Sequence, residues 1–230
     1  MRFNNVVILT GAGISAESGI QTFRDPGGIW DKYKIDDICT PAAWKRDKQL
    51  VQQFHNTARK QMKDVEPNTA HTMLTTLQQH HNNVTIITQN IDDLHEKAGS
   101  SNIIHMHGNI FKAQCEDCST VFDQREDITD NTNCQFCGSH KIRPYVVWFE
   151  EQPHENNAID KVLFDCDLLI CIGTSGCVYP AAGFATYVKN RGGYIIDINK
   201  QLSFTSQQFD QIYLGDASKT VPLCINQIFS

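Results

Sequence analysis

A wound α/β sheet is the fold class that this 230-residue sequence predicts, and three observations carry it. Short apolar runs, closed by small or polar residues, recur at residues 6–9, 84–87, 168–172 and 194–198. Runs of that length, β-branched and apolar on both sides, read as buried strands of a parallel sheet. Helix-period patterns fall between them, as at residues 69–79, where Ala70, Met73, Leu74 and Leu77 share one face. Lastly, the runs end in Thr10-Gly11, Thr88-Gln89-Asn90, Gly173-Thr174-Ser175 and Asn199, on the side of such a sheet where ligands bind.

Composition narrows the function classes. The length suits one large domain, or one with an insert, and needs no disulfides to fold. A net charge of −6 argues against a nucleic-acid partner, which calls for a clustered basic face. Apolar content of 40% and charged content of 20% exclude disorder as a class. No apolar run approaches the ~20 residues of a transmembrane helix, and residues 6–9 are shorter than the ~7–15 of a signal-peptide core. No membrane partner is expected. Of nine cysteines, five (Cys39, Cys166, Cys171, Cys177 and Cys224) are scattered, several in apolar runs, which fits a reducing cytoplasm.

In chain order, the first strand leads into Gly11-Ala12-Gly13-Ile14-Ser15-Ala16, a G-x-G-x-x-A string. Its glycines would let backbone approach a pyrophosphate, with a following helix N-terminus aimed at it. The same letters also make a plain tight strand-to-helix turn; the position directly after a strand favours the ligand reading. An ordinary dinucleotide fold would continue into a second strand ending in an acid about 20 residues on. Residues 21–28 read as a loop instead, so an ordinary dehydrogenase is excluded. Residues 24–66 are charged and aromatic, with a helix expected over 48–63. Gln89-Asn90-Ile91-Asp92-Asp93 follows the strand at 84–87, and His105-Met106-His107-Gly108 follows Asn102-Ile103-Ile104. These groups could meet over a bound ligand, with a histidine as general base. Taken alone, Asn90 and Asp92 read equally well as helix caps and His107 as a packed histidine.

Residues 112–143 are polar and hold Cys115-x2-Cys118 and Cys134-x2-Cys137, fifteen residues apart. That is the spacing of a four-cysteine zinc site, and four thiolates leave no open position for water, so the metal would be structural. Two incidental pairs, or one redox pair, are the other reading. Four basic residues against six acids give this stretch a net −2, which disfavours nucleic acid here too. With residues 24–66 it forms a smaller second lobe, and the cleft between lobes is a common ligand site.

Together Gly11-Ala12-Gly13-Ile14-Ser15, Thr22-Phe23-Arg24, Gln89-Asn90-Ile91-Asp92, His107-Gly108, the two cysteine pairs, Gly173-Thr174-Ser175 and Asn199 resemble the sirtuins, NAD-dependent protein-lysine deacylases. The match covers nearly the whole chain, with order and spacing in agreement. The string from Gly11 to Gly19, Thr40-Pro41, Val146-Val147-Trp148-Phe149 and Val178-Tyr179-Pro180-Ala181-Ala182-Gly183 look most like the bacterial and mitochondrial-type branch that removes acidic acyl groups such as succinyl. The resemblance implies one catalytic domain over 1–230. Its Rossmann-like parallel sheet lies in a large lobe of about 1–23, 67–111 and 144–230. The small lobe joins the helical insertion, 24–66, to the four-cysteine zinc module, 112–143.

The resemblance further implies that Gly11, Ala12, Gly13, Ile14 and Ser15, with Gly173, Thr174 and Ser175, hold the diphosphate of NAD, and Asn199 its adenosine ribose. Phe23 and Arg24 would cover the nicotinamide ribose, with Thr22, Trp30, Gln89, Ile91 and Ala217 completing the NAD set. Asn90 and Asp92 would hold the carboxamide. The acyl-lysine amide oxygen would attack C1′ as nicotinamide leaves. His107 would then deprotonate the ribose hydroxyl that attacks the resulting imidate, giving free lysine and O-acyl-ADP-ribose. Cys115, Cys118, Cys134 and Cys137 would hold one structural zinc. The acyl-lysine protein or peptide would lie as a strand between residues 147–151, which include Val147, Phe149 and Glu150, and residues 176–179, which end at Tyr179.

Two departures matter. The acidic-acyl branch grips the acyl carboxylate with Tyr-x-x-Arg on a small-lobe helix, where this chain has His55 and Ala58. Arg59 is one residue on, rotated by about 100°. Acetyl-lysine is therefore expected over succinyl-lysine, with residual succinyl activity rising as His55 charges at lower pH. The other departure is Glu150, where the family usually has glycine; a positive φ or close substrate approach there would disfavour glutamate. An NAD or ADP-ribose sensor and a mono-ADP-ribosyltransferase are the competing readings.

Overall fold

A computed structural model of the chain describes residues 3–21, 34–203 and 205–229. Expectations for Thr22, Phe23, Arg24 and Trp30 lie outside the described residues.

Six strands form one parallel sheet: β1 (Val6–Thr10), β2 (Val84–Thr88), β3 (Ile103–His105), β7 (Leu168–Ile172), β8 (Tyr194–Asn199) and β9 (Gln211–Leu214), in the order β3-β2-β1-β7-β8-β9. This is the doubly wound arrangement, in which the strand order reverses beside β1. Alternate residues of each central strand enter opposite layers, which is why these strands are mostly apolar on both sides. On one face Val6, Ile8, Leu168 and Ile170 pack with Leu74 and Leu77 of one helix (Thr69–His80) and Val221 and Ile225 of another (Ala217–Phe229). On the other, Val7, Leu9, Leu169 and Cys171 meet Ile159 and Leu163 (helix Asn156–Phe164) and Phe184 and Val188 (helix Phe184–Asn190).

The remaining strands, β4 (Gly108–Cys115), β5 (Val121–Asp123) and β6 (Ile142–Val146), form a separate antiparallel sheet carrying the cysteine knuckles. Among the described residues the α-helices are, in chain order, α1 (Ile35–Ile38), α2 (Pro41–Arg46), α3 (Lys48–Lys63), α4 (Thr69–His80), α5 (Leu94–Lys97), α6 (Asn156–Phe164), α7 (Phe184–Asn190) and α8 (Ala217–Phe229). Asp47 starts α3 by accepting from the Leu50 amide, and Asn68 caps α4 while His71 Nδ1 accepts from the Asn68 amide. Ala58 and Met62 of α3 pack on Ile110 and Phe111 of β4. Arg59, fully buried, donates to the Ile110 carbonyl at 2.9 Å, and Asn56 exchanges hydrogen bonds with the Ile128 backbone.

One local expectation differs. No α-helix follows Gly11-Ala12-Gly13; the chain makes two single 3-10 turns, Ala12–Ile14 and Ala16–Ser18, and leaves them through Gly19 in the left-handed region. Between Ser15 and Gly19 only Ala16 is apolar, so no stripe exists to hold a longer helix against the sheet. No helix among the described residues is long and apolar enough to cross a membrane.

Candidate active site

The carboxyl ends of β1 and β7 are neighbours at the point where the strand order reverses. Their turns touch: the Gly13 amide donates to the Gly173 carbonyl at 2.9 Å. A Cβ on Gly13 would lie 2.6 Å from the Gly173 Cα, and one on Gly11 2.7 Å from its carbonyl oxygen. Only glycine permits that approach, and it leaves a side-chain-free ledge facing the crevice. Across it, Gln89 Nε2 donates to Thr174 Oγ1 at 2.9 Å and Asn199 Nδ2 to the Thr174 carbonyl at 2.7 Å, joining the ends of β2, β7 and β8.

A continuous cavity of about 820 Å³ opens over this ledge, large enough for a dinucleotide fragment together with a side chain. It is lined by Gly11, Ala12, Gly13, Gln89, Asn90 and Ile91, by Gly173, Thr174, Ser175, Asn199 and Ala217, and by His107. His55, Ala58, Val147, Phe149, Glu150 and Tyr179 line it too. Ile14, Ser15 and Asp92 do not. Ile14 is fully buried in the sheet core. Ser15 Oγ donates to Asp92 Oδ2 at 3.0 Å, while Asn90 Nδ2 reaches the Gly11 carbonyl and Ser15 Oγ, each at 3.2 Å. Ser15 and Asp92 thus orient Asn90 from beneath. Asp92 also accepts from the Leu94 amide, so it fixes the start of α5 as well. Burial raises the Asp92 pKa, against the lowering effect of the Leu94 and Ser15 donors.

His107 Nδ1 lies 3.0 Å from the Gln89 carbonyl. A carbonyl only accepts, so Nδ1 carries the proton and Nε2 of this cavity-lining ring keeps its lone pair. Burial pushes the His107 pKa below the usual histidine value; the Gln89 carbonyl opposes this and His154 adds to it. At neutral pH the ring is a free base. Gly108, at φ +83, turns the chain immediately after it, and a Cβ there would sit 2.1 Å from the Tyr145 carbonyl oxygen.

On the opposite wall, His55 donates from Nδ1 to the Val51 carbonyl at 2.8 Å and accepts at Nε2 from Trp148 Nε1 at 3.4 Å. Burial pushes its pKa down to about 4. The expectation that His55 gains charge between pH 8 and 6 is therefore corrected: the ring stays neutral there, with both nitrogens committed. Arg59 is absent from the cavity wall, its guanidinium turned to β4. Trp148 is held in turn by Arg143, stacked 3.7 Å from the ring, and by the hydrogen bond its backbone N–H donates to the Glu151 carboxylate, which Arg143 grips with two hydrogen bonds.

Sequence reasoning missed Glu17, Cys39, Met62, Trp148 and Asp216, which share the cavity wall. Glu17 accepts from the Ser218 amide and hydroxyl, 201 positions away, and no local pattern signals such a contact. Trp148 stood inside a recognised string and could have been singled out as a polar anchor in an apolar run.

Away from the cavity, the four thiols of Cys115, Cys118, Cys134 and Cys137 lie within 4.8 Å of one another. The Cys115–Cys137 and Cys118–Cys134 sulfur separations are both 3.6 Å. Tetrahedral Zn–S bonds of about 2.3 Å require sulfur–sulfur edges of about 3.8 Å, so the donor set fits zinc.

The Sir2 family model matches residues 11–180. An NAD-dependent protein deacylase of Vibrio parahaemolyticus is 44% identical over 232 residues, covering 99% of this chain and 96% of that protein. The NAD-dependent protein deacylase SIR2rp3 of Trypanosoma brucei brucei is 43% identical, covering 97% and 94%. Among solved structures, a Sir2 homologue with ADP-ribose superposes with a TM-score of 0.90 at 34% identity, covering 98% of this chain and 92% of that one. A Sir2 protein with a deacetylated p53 peptide and 3′-O-acetyl-ADP-ribose gives 0.84 at 29%, covering 99% and 94%.

Proposed function

The chain belongs to the Sir2 family, and from that premise we propose that it is an NAD-dependent protein-lysine deacylase whose pocket takes neutral acyl groups, acetyl first. The observation that carries the reading is His107, whose Nδ1 bonds the Gln89 carbonyl and whose ring lines the cavity that also holds the glycine ledge and Asn90. When bound, NAD supplies a glycosidic bond whose cleavage releases nicotinamide and leaves an electrophilic ribose carbon. The ledge residues Gly11, Ala12, Gly13, Gly173, Thr174 and Ser175 hold the diphosphate, and Asn199 and Ala217 the adenosine side. Asn90, oriented by Ser15 and Asp92, holds the carboxamide, with Gln89 and Ile91 beside it. His107 accepts the hydroxyl proton at Nε2. The substrate chain lies as a strand between residues 147–151 and 176–179, reading backbone more than side chain.

The acyl preference rests on His55 and Ala58. Ala58 offers no donor, and both nitrogens of His55 are already bonded within the protein. A succinyl carboxylate entering there would leave water without a fixed partner, at a cost of ~2–5 kcal/mol. The four cysteines hold one structural zinc, and the five others, none of them in a disulfide, suit a reducing cytoplasm.

The test is nicotinamide release from NAD, alone and with acetyl-lysine or succinyl-lysine versions of one peptide. Release that requires acetyl-lysine peptide, with succinyl turned over ~30-fold or more less efficiently at every pH from 6 to 8, supports the proposal. No release with any peptide points to a sensor. Label retained on protein points to ADP-ribosyl transfer.

A further inference from the structure

We propose that Glu150 selects substrates carrying a cationic side chain within two residues of the acyl-lysine. The inference rests on the deacylase reading and names the peptide class that its groove takes.

Glu150 holds φ +75, a region glycine enters freely and glutamate does not. Retaining a charged side chain in such a conformation, on the wall of a binding cavity, points to use of that side chain. The carboxylate is exposed and makes no hydrogen bond or ion pair with any other described residue. Its neighbour differs in this respect: Glu151 is gripped through both oxygens by Arg143, at 2.7 and 3.0 Å. That leaves Arg143 committed to Glu151 and to the Trp148 ring. Lys200, the lysine of the cavity wall, pairs with Asp216. A formal negative charge thus stands at the lip of the groove with no cation of the described chain set against it.

A strand laid along residues 147–151 presents its side chains alternately. With the acyl-lysine directed into the pocket, residues at −1 and +1 turn to the lip, and those at −2 and +2 run along the groove. An arginine or lysine at these places comes within reach of Glu150, and an acidic residue there is repelled. Because the carboxylate is hydrated, the selection is modest and sensitive to salt.

The experiment uses the full chain and compares acetyl-lysine peptides with Arg, Ala or Glu placed in turn at −2 to +2. Their kcat/KM is measured at about 0.05 M and about 0.5 M salt, in the wild type and in Glu150→Gln, which keeps side-chain size and removes charge. Expected is a ~2–5-fold advantage of Arg over Ala at low salt in at least one position. It should shrink toward unity at high salt and in the variant, with the Glu peptides poorest. No advantage in the wild type, or one that survives Glu150→Gln, overturns the proposal. Fluorescence anisotropy with the same peptides keeps the two readings apart. If nothing is turned over, the deacylase reading has failed, yet an Arg-over-Ala affinity ratio abolished by Glu150→Gln still supports the charge selection, and equal affinities refute it.

Discussion

A single hydrogen bond decides which nitrogen of His107 can act. The Gln89 carbonyl takes the Nδ1 proton, and burial keeps the ring from charging near neutrality. The pKa is lowered, so the base form predominates at pH 7 and is lost on acidification through a midpoint below about 6.5. Turnover should change little from pH 7 to 8 and fall along a one-proton limb on the acid side; a limb centred above pH 7 would refute the lowering of the His107 pKa by burial. His107→Ala should lower kcat by ~10²–10⁴ with the melting temperature retained, and wild-type turnover in a folded variant would exclude the assignment. Much of this was legible, because a histidine before glycine at a strand end is a local pattern. The part played by Ser15 was not, since its partners lie 75 and 77 positions away and its letters read as one more backbone contact with diphosphate.

Among the elements, the cysteine module shows how far spacing alone can carry an argument. Two C-x2-C knuckles that close on one centre can satisfy a single ion, and the four sulfurs do gather within 4.8 Å of one another, two of the pairs near the edge length of a thiolate tetrahedron. Little else organises this region: beyond the thiols its core is chiefly Ala113, Ile128 and Ile142. Metal removal should therefore unfold it locally. One zinc per chain is expected by elemental analysis, and strong chelation or Cys115→Ser should cost several of the roughly 10 kcal/mol that such sites contribute in small peptides. Activity should go too, since β4 begins at Gly108, next to His107. Full thermal stability in metal-free protein would rule out the structural role. The turn after β1 was less legible, because glycine followed by small polar residues suits a helix start and two 3-10 turns alike.

At the scale of the molecule, several buried histidines make the fold sensitive to acid. His55 and His71 are each pushed down to about 4 by burial, and His95 well below its usual value. Such a group binds its proton more readily unfolded than folded, so its stabilisation is complete above about pH 6.5 and is lost as pH falls through the folded value. The loss is about 1.4 kcal/mol per pH unit per histidine, or about 3 kcal/mol each for His55 and His71 by pH 4. His105 works in the opposite sense: burial lowers it, but Glu96 outweighs that and raises it, so its contribution fades at higher pH. Urea midpoints should hold from pH 8 to 7 and drop steeply from 6 to 4.5; a level profile down to pH 5 would contradict this. The sheet order was beyond the sequence reading, because strand patterns reveal burial and direction but not which neighbour each strand takes.

The fastening of α3 has an evolutionary consequence. Arg59 and Asn56 tie that helix to Ile110 and Ile128 through backbone carbonyls and an amide, bonds indifferent to the side chains they meet. Residues 55 and 58 line the cavity and make none of these hydrogen bonds; Ala58 adds only its small apolar contact with Ile110 and Phe111. Under the deacylase reading proposed above, a lineage can exchange those two positions by point substitution and so change the acyl group taken, while the hydrogen bonds of Asn56 and Arg59 keep the helix in its seat.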